Sequence, residues 1–263
     1  MPEYPLALLL VGVAAGVLSG MFGIGGGVVI VPALTILFGF ELQNAVGTSL
    51  VVLIWPLSIF AVAAYYRAGL LDVMASVMLA LGLVLGSFFG AEIALNLPEA
   101  TMQRIYGVFL IYVGWRFLEP RKLLAARRDT PARLETPHPG DSAEAHWLPM
   151  LSIGTLAGVA AGLFGIGGGL VIVPALVELL RYSQKRAVGT SLAALMPPVS
   201  IGAVISYYNA GMVSLAASAV IAIGLIGGAF FGARIALGLP SSTVRRLYGA
   251  FLLAVSLRFL LQL

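Results

Sequence analysis

Two glycine runs are the first candidates for chemistry in this chain. Gly23-Ile24-Gly25-Gly26-Gly27 recurs as Gly165-Ile166-Gly167-Gly168-Gly169. Each run leads into an apolar stretch too short to cross a bilayer, Val28 to Phe40 in the first case. A helix starting at the glycines presents unpaired backbone N–H groups and the positive end of its dipole. That combination attracts anions. The plainer reading is that the glycines only permit a tight turn and close packing. Occurrence at two equivalent places strengthens both readings equally.

Hydroxyls supply the second candidate set. Ala45-Val46-Gly47-Thr48-Ser49-Leu50 recurs as Ala187-Val188-Gly189-Thr190-Ser191-Leu192. Hydroxyl donors in apolar surroundings can coordinate an oxyanion without the desolvation cost of a buried ammonium. They can equally bond between helices or back to a helix carbonyl. The candidate anion-binding residues are therefore Gly25, Gly26, Gly27, Gly47, Thr48 and Ser49, with Gly167, Gly168, Gly169, Gly189, Thr190 and Ser191.

Enzyme signatures are missing. There is no cysteine, and His138 and His146 both fall in one polar segment. No carboxylate cluster would hold a metal, and no nucleophile motif is present. The GIGGG run lacks GxGxxG spacing and a βαβ context, so it is not a dinucleotide fingerprint. No Walker-type ATP site occurs. No catalytic residue, cofactor or metal is expected, and any transport must use a gradient, a partner or diffusion.

The elements that position these residues follow from composition. Of 263 residues, 60% are hydrophobic and only 10% charged, against about 25% charged in a soluble domain. The mean hydropathy is +1.03. A soluble domain of this size cannot hide so much apolar surface. The net charge of +4 comes from few charges and forms no basic stripe, so nucleic acid is not an expected partner. The chain reads as a polytopic protein of the lipid bilayer with a surplus of glycine, 32 in all.

It is also a duplication. Gly20 to Leu34 recurs at Gly162 to Leu176, and Phe88 to Pro98 at Phe230 to Pro240. From Gly20 to Leu118 the offset is constant, and roughly 55 of about 99 positions are identical. Each half has five apolar segments, near 5–22, 27–39, 44–66, 70–97 and 101–118 in the first. The second segment suits a half-membrane helix, paired with the first as a hairpin whose tip is the glycine run. The third, fourth and fifth are long enough to span, with Pro56 and Pro198 expected to kink the third. Glycines spaced by four (Gly12, Gly16, Gly20 and Gly82, Gly86, Gly90, with their counterparts) make faces for close helix packing. The domains expected are a first membrane repeat at 1–118, a polar linker at 119–149 and a second membrane repeat at 150–263. The linker holds about ten of the charged residues.

Loop charge sets the orientation. Arg116, Arg121, Lys122, Arg127 and Arg128 place the linker in the cytoplasm. The loop near Arg67 then lies inside and that near Glu41 outside, while their counterparts near Arg181 and Asn209 show the opposite bias. The expectation is an all-α membrane protein of two homologous inverted-topology repeats, each a helix/half-helix hairpin plus three spanning helices, with both termini external. Two glycine tips entering from opposite faces would then meet near the midplane. Glu92 and Arg234 occupy equivalent places near segment ends, where snorkelling is expected. Arg104, Arg246, Arg116 and Arg258 read as interfacial anchors. Tyr65-Tyr66 and Tyr207-Tyr208 read as an aromatic belt. Glu178 is a candidate proton carrier.

The paired GIGGGxxxVPAL and AVGTSL motifs closely resemble the sulfite exporter TauE/SafE family of membrane permeases, over essentially the whole chain except the linker. The resemblance implies movement of a small sulfur-containing anion, such as sulfite, thiosulfate or an organosulfonate, across the bacterial inner membrane. The leading expectation is a secondary transporter, coupled to protons and working by alternating access. A passive anion channel and a non-transporting scaffold or accessory subunit are the alternatives.

Overall fold

The helices follow the five-segment plan of each repeat, except that the third segment is broken in two. In a computed structural model, which describes residues 4–22, 25–55, 59–118, 147–238, 249 and 252–259, every regular element is an α-helix. The first half contains α1 (Pro5–Phe22), α2 (Gly27–Phe38), α3 (Leu42–Leu53), α4 (Ile59–Arg67), α5 (Val73–Asn96) and α6 (Glu99–Leu118). The second contains α7 (Trp147–Phe164), α8 (Gly169–Glu178), α9 (Gln184–Ala194), α10 (Ile201–Asn209) and α11 (Leu215–Gly238); residues 252–259 are also helical. Among the described residues, α5 and α7 are each long and apolar enough to cross a bilayer. The helix α7 begins at Trp147, inside the stretch read as linker, whose residues 119–146 lie outside the described part.

The third segment breaks because of its prolines. Pro197 and Pro198 stand three and four residues past Ala194, the last residue of α9, and remove two consecutive N–H donors, so the helix does not continue through them. Tight local bonds span the gap: the Val199 N–H donates to the Pro197 carbonyl at 2.6 Å and the Ile201 N–H to that of Pro198 at 3.0 Å. The Ser87 hydroxyl of α5 reaches the Val199 carbonyl at 3.1 Å and gives the opened backbone a donor. A kink is the expectation, but the helix stops instead: residues 195–200 are non-helical in the second repeat, and the first repeat leaves the helix from Ile54. Pro56 itself lies outside the described residues, between α3 and α4.

The described chain falls into two compact units. One comprises Met1–Leu97 with Ala143–Leu237, the other Pro98–Ser142 with Gly238–Leu263. Each unit thus takes segments from both repeats. In the smaller, Tyr106 meets Phe259 edge-on with ring centroids 5.2 Å apart, and Gly114 of α6 packs on Leu253. Arg104 and Arg258 are exposed, as an anchoring role requires.

The larger unit is built on the glycine faces, and each face belongs with the other repeat. A Cβ on Gly82, Gly86 or Gly90 of α5 would strike the carbonyl oxygens of Leu151, Thr155 and Val159 on α7. Gly154, Gly158 and Gly162 of α7 meet those of Leu79, Leu83 and Ser87 in return. The same exchange recurs between Gly12 and Gly16 of α1 and Ile221 and Leu225 of α11. Both pairs run in parallel register, because residue numbers rise together along them. Backbone touches backbone, a contact that small residues allow and that lipid cannot compete for. Away from these seams α5 turns Leu81, Leu85, Phe89 and Ile93 outward, each about half exposed or more. An apolar stripe of that length suits lipid rather than water.

Candidate functional site

The two glycine tips meet. A Cβ on Gly27 would collide with the Gly165 carbonyl oxygen, and one on Gly25 would stand 3.4 Å from that of Ile166. Gly25, Gly165, Gly167 and Gly168 all have positive φ, between 70° and 82°, a region open to glycine and costly for L side chains. Leu53, the last residue of α3, closes the contact: its methyls lie 3.7 Å from a Cβ position at Gly25 and 3.3 Å from one at Gly167. The tips therefore adjoin the end of a half-helix as well as each other.

Two short helices start there. The N-cap residues of α2 and α8 are Gly26 and Gly168, and neither offers a side chain to cap the first turn. The cap carbonyls are used, accepting from Val29 and Ile30, and from Val171 and Ile172. Two positive helix ends without side-chain caps thus belong to one cluster of backbone.

The serines divide. Ser49 is fully buried and donates to the Gly165 carbonyl at 2.9 Å, which ties α3 to the opposite tip. Its counterpart Ser191 is equally buried, and its hydroxyl has no hydrogen-bond partner among the described residues. The threonines look the other way. The Thr48 hydroxyl donates to Asn44 Oδ1 at 3.2 Å and accepts from the Ser214 N–H at 3.0 Å. The Thr190 hydroxyl accepts from the Asp72 N–H at 3.1 Å. Ser214 and Asp72 each accept from an N–H of the first turn of a long helix, Ala217 in α11 and Ala75 in α5. Each threonine therefore fixes the start of the other repeat's long helix. Gly47 and Gly189 face the same crossings, against Tyr207 with Met212 and Tyr65 with Leu70. Gly25, Gly26, Gly27, Ser49, Gly167, Gly168 and Gly169 belong to the tips; Gly47, Thr48, Gly189 and Thr190 belong to the crossings.

Three polar features escape a sequence reading. Asp72 is mostly buried and accepts from Tyr182 Oη at 2.9 Å and from Arg186 Nη2 at 3.0 Å, while the Arg186 guanidinium lies over the Tyr182 ring. Their counterparts are Ser214, Phe40 and Asn44, so the corresponding crossing holds no ion pair of this kind. The only early signal was Asp72 standing where Ser214 stands, both good N-cap residues. Tyr207 is not part of a belt: it is fully buried, with its hydroxyl 3.0 Å from the Gly162 carbonyl, while Tyr66 and Tyr208 are exposed. Glu92 is only partly exposed and accepts from the buried Ser206 hydroxyl at 2.7 Å. This bond ties it to α10. Glu178 ends α8 and is exposed, and the side chain of Arg234 lies outside the described part.

A family model described as "Sulfite exporter TauE/SafE" matches residues 8–259. The chain belongs to this family. Relatives of the TauE/SafE protein agree over similar spans. A probable membrane transporter protein of Methanocaldococcus jannaschii is 30% identical, covering 87% of this chain and 85% of its own. The probable membrane transporter protein YunE of Bacillus subtilis is 28% identical over the same shares. A probable membrane transporter protein of Xylella fastidiosa is 29% identical, covering 94% of this chain and 90% of its own. No solved structure matches the chain. This TauE/SafE protein is a multi-pass membrane transporter, not an enzyme.

Proposed function

We propose that the protein is a secondary transporter of a small sulfur-containing oxyanion, bound at a site built from the paired glycine tips and released by alternating access. The observation that carries this reading is the direct contact of the tips, each heading a short helix whose N-cap is glycine. Two positive helix ends and their free N–H groups favour an anion without any buried cation. Discontinuous helices in paired repeats form the binding sites of many secondary transporters. Sulfite, thiosulfate and organosulfonates are the substrate class that fits the family description.

Inverted topology is supported by helix direction. With α1 and α2 read as a hairpin and α3 with α4 as one broken span, α1 runs one way, α2 back, α3 and α4 forward and α5 back. The helix α11 runs parallel to α1, since Gly12 packs on Ile221 and Gly16 on Leu225. It therefore runs against α5, its counterpart in the first repeat. Loop charge supports a cytoplasmic linker and external termini in a bacterial inner membrane.

The test is flux by the purified protein in liposomes, with sulfite, thiosulfate, ethanesulfonate and sulfate. Saturable movement of at least one sulfur anion is expected, together with exchange against the same anion inside. Movement that never saturates would instead describe a channel. No movement of any of the four would remove the transport reading.

A further inference from the structure

We propose that Glu92 carries the coupling proton of this transporter, and that Ser206 and Tyr207 of α10 relay its state to the second glycine tip. The inference rests on the transport reading. Glu92 lies within α5, a helix long enough to span. The other acidic residues in the described part stand at helix starts and ends: Glu41, Asp72, Glu99 and Glu178. Asp72 is already paired with Arg186.

Glu92 forms no ion pair among the described residues. Its carboxylate partner is the Ser206 hydroxyl at 2.7 Å, and Ser206 is 8% exposed. The elements packed against this end of α5 are α3, α7 and α10. From α3 comes Gln43, neutral, whose amide donates to the Ala94 and Leu97 carbonyls. The stretch of α7 from Val159 to Leu163 carries nothing ionisable. From α10 comes Tyr207, its hydroxyl on the Gly162 carbonyl. An ionisable carboxyl held in a membrane protein by a neutral partner is a functional group by default.

Its connection to the site is short. Ser206 and Tyr207 are adjacent on α10, the half-helix that follows the proline break. One binds the carboxylate and the other binds Gly162, three residues before the glycine that meets Gly27. An ionised Glu92 accepts a charge-assisted hydrogen bond, roughly twice as strong as a neutral one. A proton taken from water at one face converts that bond to a neutral one and loosens α10 from α5. Its release to water at the other face restores the bond. The device exists once, because the counterparts of Glu92 and Ser206 are Arg234 and Ala64.

The test uses the full chain in liposomes, with radiolabelled thiosulfate as probe, an anion that stays ionised across the pH range needed. Two readouts are taken: uptake driven by an imposed pH gradient, and exchange against internal thiosulfate at equal pH. For Glu92→Gln, which keeps the acceptor oxygen facing Ser206, gradient-driven uptake is expected to be lost while exchange remains measurable. Glu99→Gln, at an exposed site, should respond to the gradient like the unaltered protein. Gradient-driven uptake that survives Glu92→Gln overturns the proposal, as does an unaltered protein that exchanges thiosulfate but ignores the pH gradient. An unaltered protein that moves neither thiosulfate nor ethanesulfonate fails at the level of transport itself.

Discussion

Gly27→Ala is expected to abolish or nearly abolish transport in a protein that still inserts and purifies. A single methyl at this position would overlap the Gly165 carbonyl oxygen and come within 2.9 Å of its carbon. Both atoms are backbone, so no side chain can rotate away. Overpacking of this kind costs about 1–3 kcal/mol where the structure can adjust, and every 1.4 kcal/mol is about tenfold in an equilibrium. The tips would separate, and the two helix ends would no longer converge on one anion. Flux should fall by about tenfold or more, measured beside the elution profile and melting temperature of the same preparation. Gly227→Ala in α11 is the matched control. Its added methyl meets nothing within 4 Å, and alanine is the better helix former. Gly27→Ala with ordinary flux would take the tip contact out of the mechanism.

A second large effect separates architectural glycines from those of the site. Gly86→Val should prevent the larger unit from assembling. The Gly86 Cα stands where α5 touches α7, and its new Cβ would overlap the Thr155 carbonyl oxygen and approach the Val159 nitrogen to 2.8 Å. Relief would require the whole helix pair to move apart, opening contacts at Gly82 and Gly90 too. Little folded protein is expected from membranes. Gly86→Ala tests the same point where valine yields none, with a loss of about 1–3 kcal/mol in stability read as a lowered melting temperature. A fully stable Gly86→Ala protein would show that the seam tolerates a wider helix spacing.

Much of this architecture is legible in the sequence. The duplication, the half-length second helix and the glycine tip follow from spacing alone, since thirteen or so apolar residues cannot span a bilayer. Opposite loop charge bias in the two halves is what suggests that the tips meet. What one sequence could not supply was the choice of partner. The four-spaced glycines announce a packing face, but nothing in them says that α1 seeks α11 and α7 seeks α5. Thr48 and Thr190 show the same limit. A hydroxyl in an apolar segment can hold a ligand or a backbone N–H, and only the neighbouring chain decides. Here Ser214 and Asp72 supply the N–H groups. Glu92 was visible as a charge near a segment end. Its capture by Ser206 depends on α10, the half-helix that follows the break at Pro197 and Pro198.

Binding of the anion at the paired tips can be measured directly, because the chain has no native cysteine. Leu53 touches the Cβ positions of both Gly25 and Gly167, so Leu53→Cys places one unique thiol at the proposed site. Its alkylation rate is measured in the purified protein with and without a transported sulfur oxyanion, with chloride at equal ionic strength as reference. The account predicts that the oxyanion slows alkylation at the concentrations that saturate transport. An alkylation rate that stays unchanged while the same variant transports that anion would contradict it.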